Sequence, residues 1–265
     1  MRALRAGLPA AVLMLLALFI LLPLAQTFLL SFLATLPHEG VEKGTWGLVN
    51  YRNVLATPAL VASIGNSAVY VTLNVALCLG AALPAAYALS RYEFLGDRHF
   101  LFLLLAFRAT PPVVLSLPIF ILFSRFGLVN SPVGIALVHC LFNLPIAIWI
   151  LETFISAVPR ALDETAFLDG HSLCSFFLRH LIPAIAPGIG VAAFFCFLFS
   201  WVEVVFARIL TVTAGKPITM AINALFTFQT DVGLVMAMTV VSLLPGLGMI
   251  WFVRNHIARG FALRA

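Results

Sequence analysis

Two groups of residues in this chain have the types and spacing to do chemistry. One is the charged patch "DETAFLDG", where Asp163, Glu164 and Asp169 crowd together just ahead of Gly170. Carboxylates so placed could serve acid–base work or grip a partner. The other is a set of hydrogen-bonding side chains inside apolar runs, namely Asn66, Asn74, Arg108, His139, Asn143 and Glu203. Such groups can bind one another or a hydroxylated solute. Catalytic patterns are missing. No G-x-x-x-x-G-K-[ST] phosphate loop occurs, since the lysines are Lys43 and Lys216 and "TAGKPIT" has proline after its lysine. Neither G-x-S-x-G nor H-E-x-x-H is present, which speaks against a hydrolase and predicts no catalytic residues. Cys78, Cys140, Cys174 and Cys196 form no C-x-x-C pair and read as lone thiols, so neither a disulfide nor a metal site is predicted.

The elements that must position these residues follow from composition. The 265 residues are 63% hydrophobic and 9% charged, with a mean hydropathy of +1.11, against about 25% charged in an ordinary soluble domain. Six apolar runs, residues 8–36, 60–90, 99–124, 133–155, 184–210 and 232–254, reach the length at which a helix crosses a bilayer. The expectation is an all-α polytopic membrane protein with six transmembrane helices in one domain, residues 1–265. The first run is too long for a secretory leader and lacks a small-x-small cleavage site, so it is read as a retained span.

The net charge of +5 could suggest a nucleic-acid partner, but basic residues also gather in cytoplasmic loops to set topology. With six spans and both termini cytoplasmic, Arg2, Arg5, Arg91, Arg98, Arg160, Arg179, Arg254, Arg259 and Arg264 fall inside. Lys43, Arg52, Arg125, Arg208 and Lys216 fall outside or at outer ends. The bias has the expected direction, and no nucleic acid is expected. The outer loop 37–59 carries Trp46 and Tyr51, suited to interfacial anchoring or to docking an external partner.

The inner loop 156–183 exceeds what a helix connection needs. Pro159 suits a first helical turn, and Asp163 and Glu164 sit early in "PRALDETAFLD", where a helix favours acidic groups. Gly170 permits a sharp change of direction, and "SLCSFFLRHLI" resumes a helical pattern up to Pro183. Two short helices hinged at a glycine are expected. Periodicity alone fits an interfacial helix in the lipid headgroups equally well.

Spacing adds to that picture. Glu164, Thr165, Ala166, three residues, Gly170, nine residues, then His180, Leu181, Ile182 and Pro183 resembles the E-A-A-x3-G-x9-I-x-L-P loop of ABC importer permeases. Thr165 stands for the second-position Ala and His180 for the usual Ile. "RATPPVVLSLPIFILFSRFGLVNSPVGIALVHCLFNLPIAIWIL" resembles the third and fourth spans of carbohydrate-uptake permeases related to the smaller permease subunit of the maltose transporter. "FCFLFSWVEVVFARILT" resembles their fifth span, with Val202 where Asn is usual.

The resemblance implies a type I ABC importer permease fold in a bacterial or archaeal cytoplasmic membrane, carrying a sugar or polyol. It also implies a coupling helix whose ATPase-coupling residues are Asp163, Glu164, Thr165, Ala166, Asp169, Gly170 and Pro183. Partners would be a homologous second permease, two ATP-binding subunits and an extracytoplasmic solute-binding protein. No cofactor is expected in this chain, ATP and Mg being used by the partner ATPase. Another small polar solute, or a secondary carrier working alone, are the alternatives; a carrier would need more intramembrane carboxylates than this chain has.

Asn74, Asn143 and Glu203 are the candidates for the translocation path. Arg108, counted along a straight helix, lies about 14 Å into its run, and Glu203 roughly 28 Å into the other. That disagreement argues against a direct pair. Arg108 is assigned a structural role, bonded to carbonyls freed where Pro111 and Pro112 break the helix. The sequence does not name the solute.

Overall fold

Prolines decide where this chain bends. The computed structural model describes residues 2–38, 40–93, 96–227 and 230–262. In chain order the helices are α1 (Arg2–Leu30), α2 (Val49–Ala56), α3 (Pro58–Arg91), α4 (Asp97–Arg108), α5 (Pro112–Arg125), α6 (Pro132–Ser156) and α7 (Ala161–Leu168). There follow α8 (Leu173–Phe176), a π-helical turn (Phe177–Leu181), α9 (Ile182–Ala184), α10 (Ala186–Trp201), α11 (Val205–Leu210), α12 (Ile218–Ala224) and α13 (Val232–Ala262). Pro112 and Pro132 open α5 and α6, where the missing N–H has no helical partner to lose. α1, α3, α6 and α13 are each long and apolar enough to cross a membrane. α4 with α5, bent by 93°, and the segment Leu173–Ala184 with α10, bent by 84°, raise the count to six if each pair is one span. The all-helical, multispan expectation therefore holds.

The boundaries differ from the straight runs expected. The third run is two helices, because Pro111 and Pro112 end α4 at Arg108 and start α5 anew. The fifth run stops at Trp201; Val202, Glu203 and Val204 leave the helix before α11. The first helix ends at Leu30, and the chain then turns through isolated bridges, Leu33 to Trp46 and His38 to Val41. A uniformly apolar run records burial in lipid, not straightness.

The chain separates into two compact units, residues 1–62 with 221–244 and residues 63–220 with 245–265. In the first, Asn50 donates to the Ser31 and Leu33 carbonyls at 2.9 Å each, and the Tyr51 and Ser31 hydroxyls lie 2.7 Å apart. Asp231 caps α13, accepting from the Leu234 N–H at 3.1 Å and from the Thr35 hydroxyl at 2.8 Å. Its other oxygen is 3.0 Å from His38 Nε2. Trp46 is exposed and Tyr51 partly buried, so the anchoring expected of both falls to different surroundings.

The second unit holds the larger core. Ala82 and Ala86 of α3, Ala147 and Leu151 of α6, and Ala192 and Cys196 of α10 are fully buried there. Small side chains let helix backbones approach, which membrane helices use in place of a hydrophobic drive. Gly188 marks one such close approach: a Cβ added there would lie 2.5 Å from the Phe154 ring. Ala166, Phe176 and Leu181, from the loop after α6, belong to the same core. All four cysteines are free.

Candidate functional site

The segment following α6 is built as an anchored projection. α7 begins after Pro159 and Arg160 and ends at Asp169; Gly170 then takes φ +82°, a left-handed conformation that other residues resist. Ser172 caps α8, accepting from the Ser175 N–H at 3.3 Å. The expected pair of short helices hinged at Gly170 is what the chain forms. The second helix runs on through a π turn over Phe177–Leu181, a rare geometry that widens the backbone.

This segment turns part of its charged patch inward. Asp163 is buried, and Arg91 of α3 holds it through Nε to Oδ2 at 2.7 Å and Nη2 to Oδ1 at 3.2 Å. The Tyr87 hydroxyl donates to Oδ2 at 3.1 Å, and Arg91 Nη2 also donates to the Val158 carbonyl at 3.0 Å. A planar guanidinium matched to a carboxylate fixes direction as well as position. Asp163 therefore faces its own bundle, because α3 ends beside it with the cation that pairs with it, Arg91. Ala166 is likewise buried. Glu164, Thr165, Asp169, Gly170 and Pro183 are exposed, and so are Phe167 and Leu168, the latter by 86%. Phe167 carries no signal of this exposure in the sequence, where an aromatic residue between charged residues reads equally well as buried.

Elsewhere in the same unit, Arg108, His139, Asn143 and Glu203 line one cavity of about 230 Å³ with Pro112, Val138, Phe142, Phe199 and Phe206. Arg108 Nη1 donates to the Phe142 carbonyl at 2.6 Å and lies 3.5 Å from Asn143 Oδ1. Its guanidinium sits 4.0 Å from the centre of the Phe199 ring, a cation–π contact. Glu203, between α10 and α11, accepts the Phe206 N–H at 2.9 Å and the Ala207 N–H at 3.0 Å. His139 Nε2 is 3.2 Å from Glu203 and Nδ1 2.6 Å from the Ser200 hydroxyl. A carboxylate only accepts, so Nε2 carries the proton.

Counting residues along straight helices had set Arg108 and Glu203 at different depths. The bend after α4 and the break after α10 remove the basis of that count, and both side chains reach the same space. The carbonyl that Arg108 uses belongs to Phe142 on α6, not to the broken turn at Pro111 and Pro112. Asn74 stands apart from the cavity. It is fully buried, donating to the Cys196 carbonyl at 3.1 Å, with Asn143 Nδ2 3.4 Å from its own carbonyl oxygen, and so ties α3, α6 and α10 together. A larger cavity of about 470 Å³, walled by Val71, Val75, Phe197 and Trp201 among others, is almost wholly apolar and has little to orient a hydroxylated solute.

Broken helices of membrane-spanning length, a polar cavity between them and an anchored connecting segment make up a polytopic helical membrane protein. Residues 78–259 match the family described as the binding-protein-dependent transport system inner membrane component, and the chain belongs to that family. It is therefore a multi-pass inner-membrane protein. It is 30% identical to the trehalose transport system permease protein SugB of Mycobacterium tuberculosis, covering 91% of this chain and 90% of that one. Identity to the trehalose/maltose transport system permease protein MalG of Thermococcus litoralis is 28%, over 82% and 80%. The carbohydrate-permease resemblance of the sequence is borne out by such relatives. A solved bacterial ABC transporter involved in import of the acidic polysaccharide alginate matches with a TM-score of 0.79 at 20% identity, over 96% of each chain. A second alginate transporter structure, in complex with an alginate pentasaccharide-bound periplasmic protein, matches at 0.70 and 15% identity, over 98% and 94%. These two share the fold.

Proposed function

We propose that this chain is the transmembrane permease subunit of an ATP-driven, binding-protein-dependent importer for a sugar or polyol. The observation that carries the reading is the segment after α6, whose inward face is locked by Arg91 and Asp163 while Glu164, Phe167, Leu168 and Asp169 project outward. A rigid arm with an exposed mixed face is suited to follow a moving partner. The partners are a second, homologous permease, two ATP-binding subunits that use ATP and Mg, and an extracytoplasmic solute-binding protein. Both termini and the coupling segment 156–183 face the cytoplasm, where the ATPase subunits bind.

Closure of the ATPase dimer pulls on α7. The pull passes through the Asp163–Arg91 pair to α3 and through Ala166, Phe176 and Leu181 to the core of α6 and α10. The bundle then changes from inward- to outward-facing as a rigid-body movement. Gly170 lets α7 change angle relative to the segment beyond it. Asn143 and Glu203 lie on the path of the solute, and Asn74 holds the helices that form it. The relatives' sugar-transport names support a saccharide as solute.

Purification of this chain with its co-expressed genomic neighbours tests the reading. An ATPase and a second permease are expected to co-purify in stoichiometric amounts. Isolation of a lone chain that transports a sugar without an ATPase overturns it.

A further inference from the structure

We propose that the cavity bounded by Arg108, His139, Asn143 and Glu203 is a station for one free hexose or one open-chain hexitol, with Arg108 and Glu203 both contacting its hydroxyls. The proposal rests on the permease reading and adds the size and charge class of the solute. It also gives Arg108 a role beyond the structural one expected from sequence.

Size is the first argument. About 230 Å³ is below the roughly 300–1,000 Å³ of pockets that enclose drug-sized ligands, so a disaccharide is not accommodated whole. Hydrogen-bonding capacity is the second. Arg108 engages protein acceptors through Nη1 alone among the described residues, leaving the donors on Nε and Nη2 for a ligand. Glu203 receives two backbone N–H groups and the His139 contact, using three of the roughly four lone-pair sites a carboxylate offers. Donor and acceptor thus stand in one small space, as vicinal hydroxyls require.

Charge is the third argument. The one arginine–carboxylate ion pair among the described residues is Arg91–Asp163, while His38–Asp231 and His139–Glu203 are histidine–carboxylate contacts at 3.0 and 3.2 Å. Arg108 has no carboxylate partner among them, yet it shares its cavity with Glu203. Cation and anion balance across the space without touching, which fits a neutral polyhydroxyl solute. A uronate would approach Glu203 as a like charge. Apolar surface comes chiefly from Phe199, since Phe142 and Phe206 are buried, and the C–H face of a sugar can lie along it. The Phe199 ring also fixes the guanidinium plane, so its free edge is presented in one orientation.

Saturation-transfer NMR on the purified transporter, without its solute-binding protein, tests this. The probes are glucose, galactose, mannose, mannitol and sorbitol, with trehalose and glucuronate as competitors. At least one hexose or hexitol is expected to bind, with affinity falling at least about tenfold in Arg108→Gln and in Glu203→Gln. In the native transporter neither trehalose nor glucuronate should displace it. The proposal is overturned if no hexose or hexitol binds, if both assembled variants keep native affinity, or if either competitor displaces the probe as well as the probe itself does. Should the variants fail to assemble, competition in the native transporter decides alone. Absence of a co-purifying ATPase would instead remove the permease reading, a separate and distinguishable failure. ATP-driven uptake of trehalose without hexose binding would leave that reading standing and sink the station.

Discussion

Arg91 and Asp163, far apart in sequence, meet through two nitrogen-to-oxygen contacts of 2.7 and 3.2 Å, both side chains less than a tenth exposed. The pair joins the end of α3 to the first turn of α7, so any force on α7 reaches a membrane-spanning helix directly. Removing one partner strands a buried charge, which costs about 3–5 kcal/mol. Arg91→Ala should lower thermal stability in detergent by that order, and Arg91→Ala with Asp163→Ala should fall short of the sum of the single losses. Additive losses would mean that the contact transmits nothing.

Leu168 behaves in the opposite way. At 86% exposure it buries little against its own chain, so Leu168→Asp should change stability by no more than about 0.5 kcal/mol. Retention of the ATPase subunit on an affinity column should nevertheless drop. A variant that keeps its ATPase through high-salt washing would remove Leu168 from the docking face.

Gly188 tests the packing of α6 against α10. A Cβ there falls 2.5 Å from Phe154 Cγ, and overpacking of this kind costs about 1–3 kcal/mol. Gly188→Val should lower the unfolding temperature, and Phe154→Ala in the same chain should recover part of the loss. Lack of any recovery would place the strain elsewhere.

Asn74 separates holding from carrying. Its side chain bonds the Cys196 carbonyl and accepts from Asn143 while fully buried, so Asn74→Leu takes a donor from that carbonyl and an acceptor from Asn143 Nδ2, at about 1–3 kcal/mol. Thermal stability and uptake should decline together. Loss of uptake at native stability would mean that Asn74 contacts the solute after all.

The sequence shows these features unevenly, and the reasons are physical. Six apolar runs and the turn at Gly170 are local: hydropathy and a residue without Cβ announce them directly. The bend at Pro111 and Pro112 is also local, and proline marks it, but its size of 93° is set by packing. Arg91 reads only as a topology-setting charge, because its partner is brought to it by the fold and not by spacing. Arg108 and Glu203 illustrate the converse. A ruler of 1.5 Å per residue separates them only while the helices are taken as straight. Val202, standing where a polar residue is usual in similar permeases, gave no sign that Glu203 would leave the helix beside it and turn to cap α11.

ATP-dependent uptake into proteoliposomes, with the native chain and Gly170→Val compared, tests the central claim that the segment after α6 couples ATP hydrolysis to transport. Gly170 has φ +82° and open space around it, so a β-branched residue strains the backbone without clashing with a neighbour. The assembled Gly170→Val transporter is expected to go on hydrolysing ATP while uptake falls by at least about tenfold, equivalent to about 1.4 kcal/mol of lost coupling. Uptake equal to the native transporter's, or native uptake that persists without ATP, would contradict it.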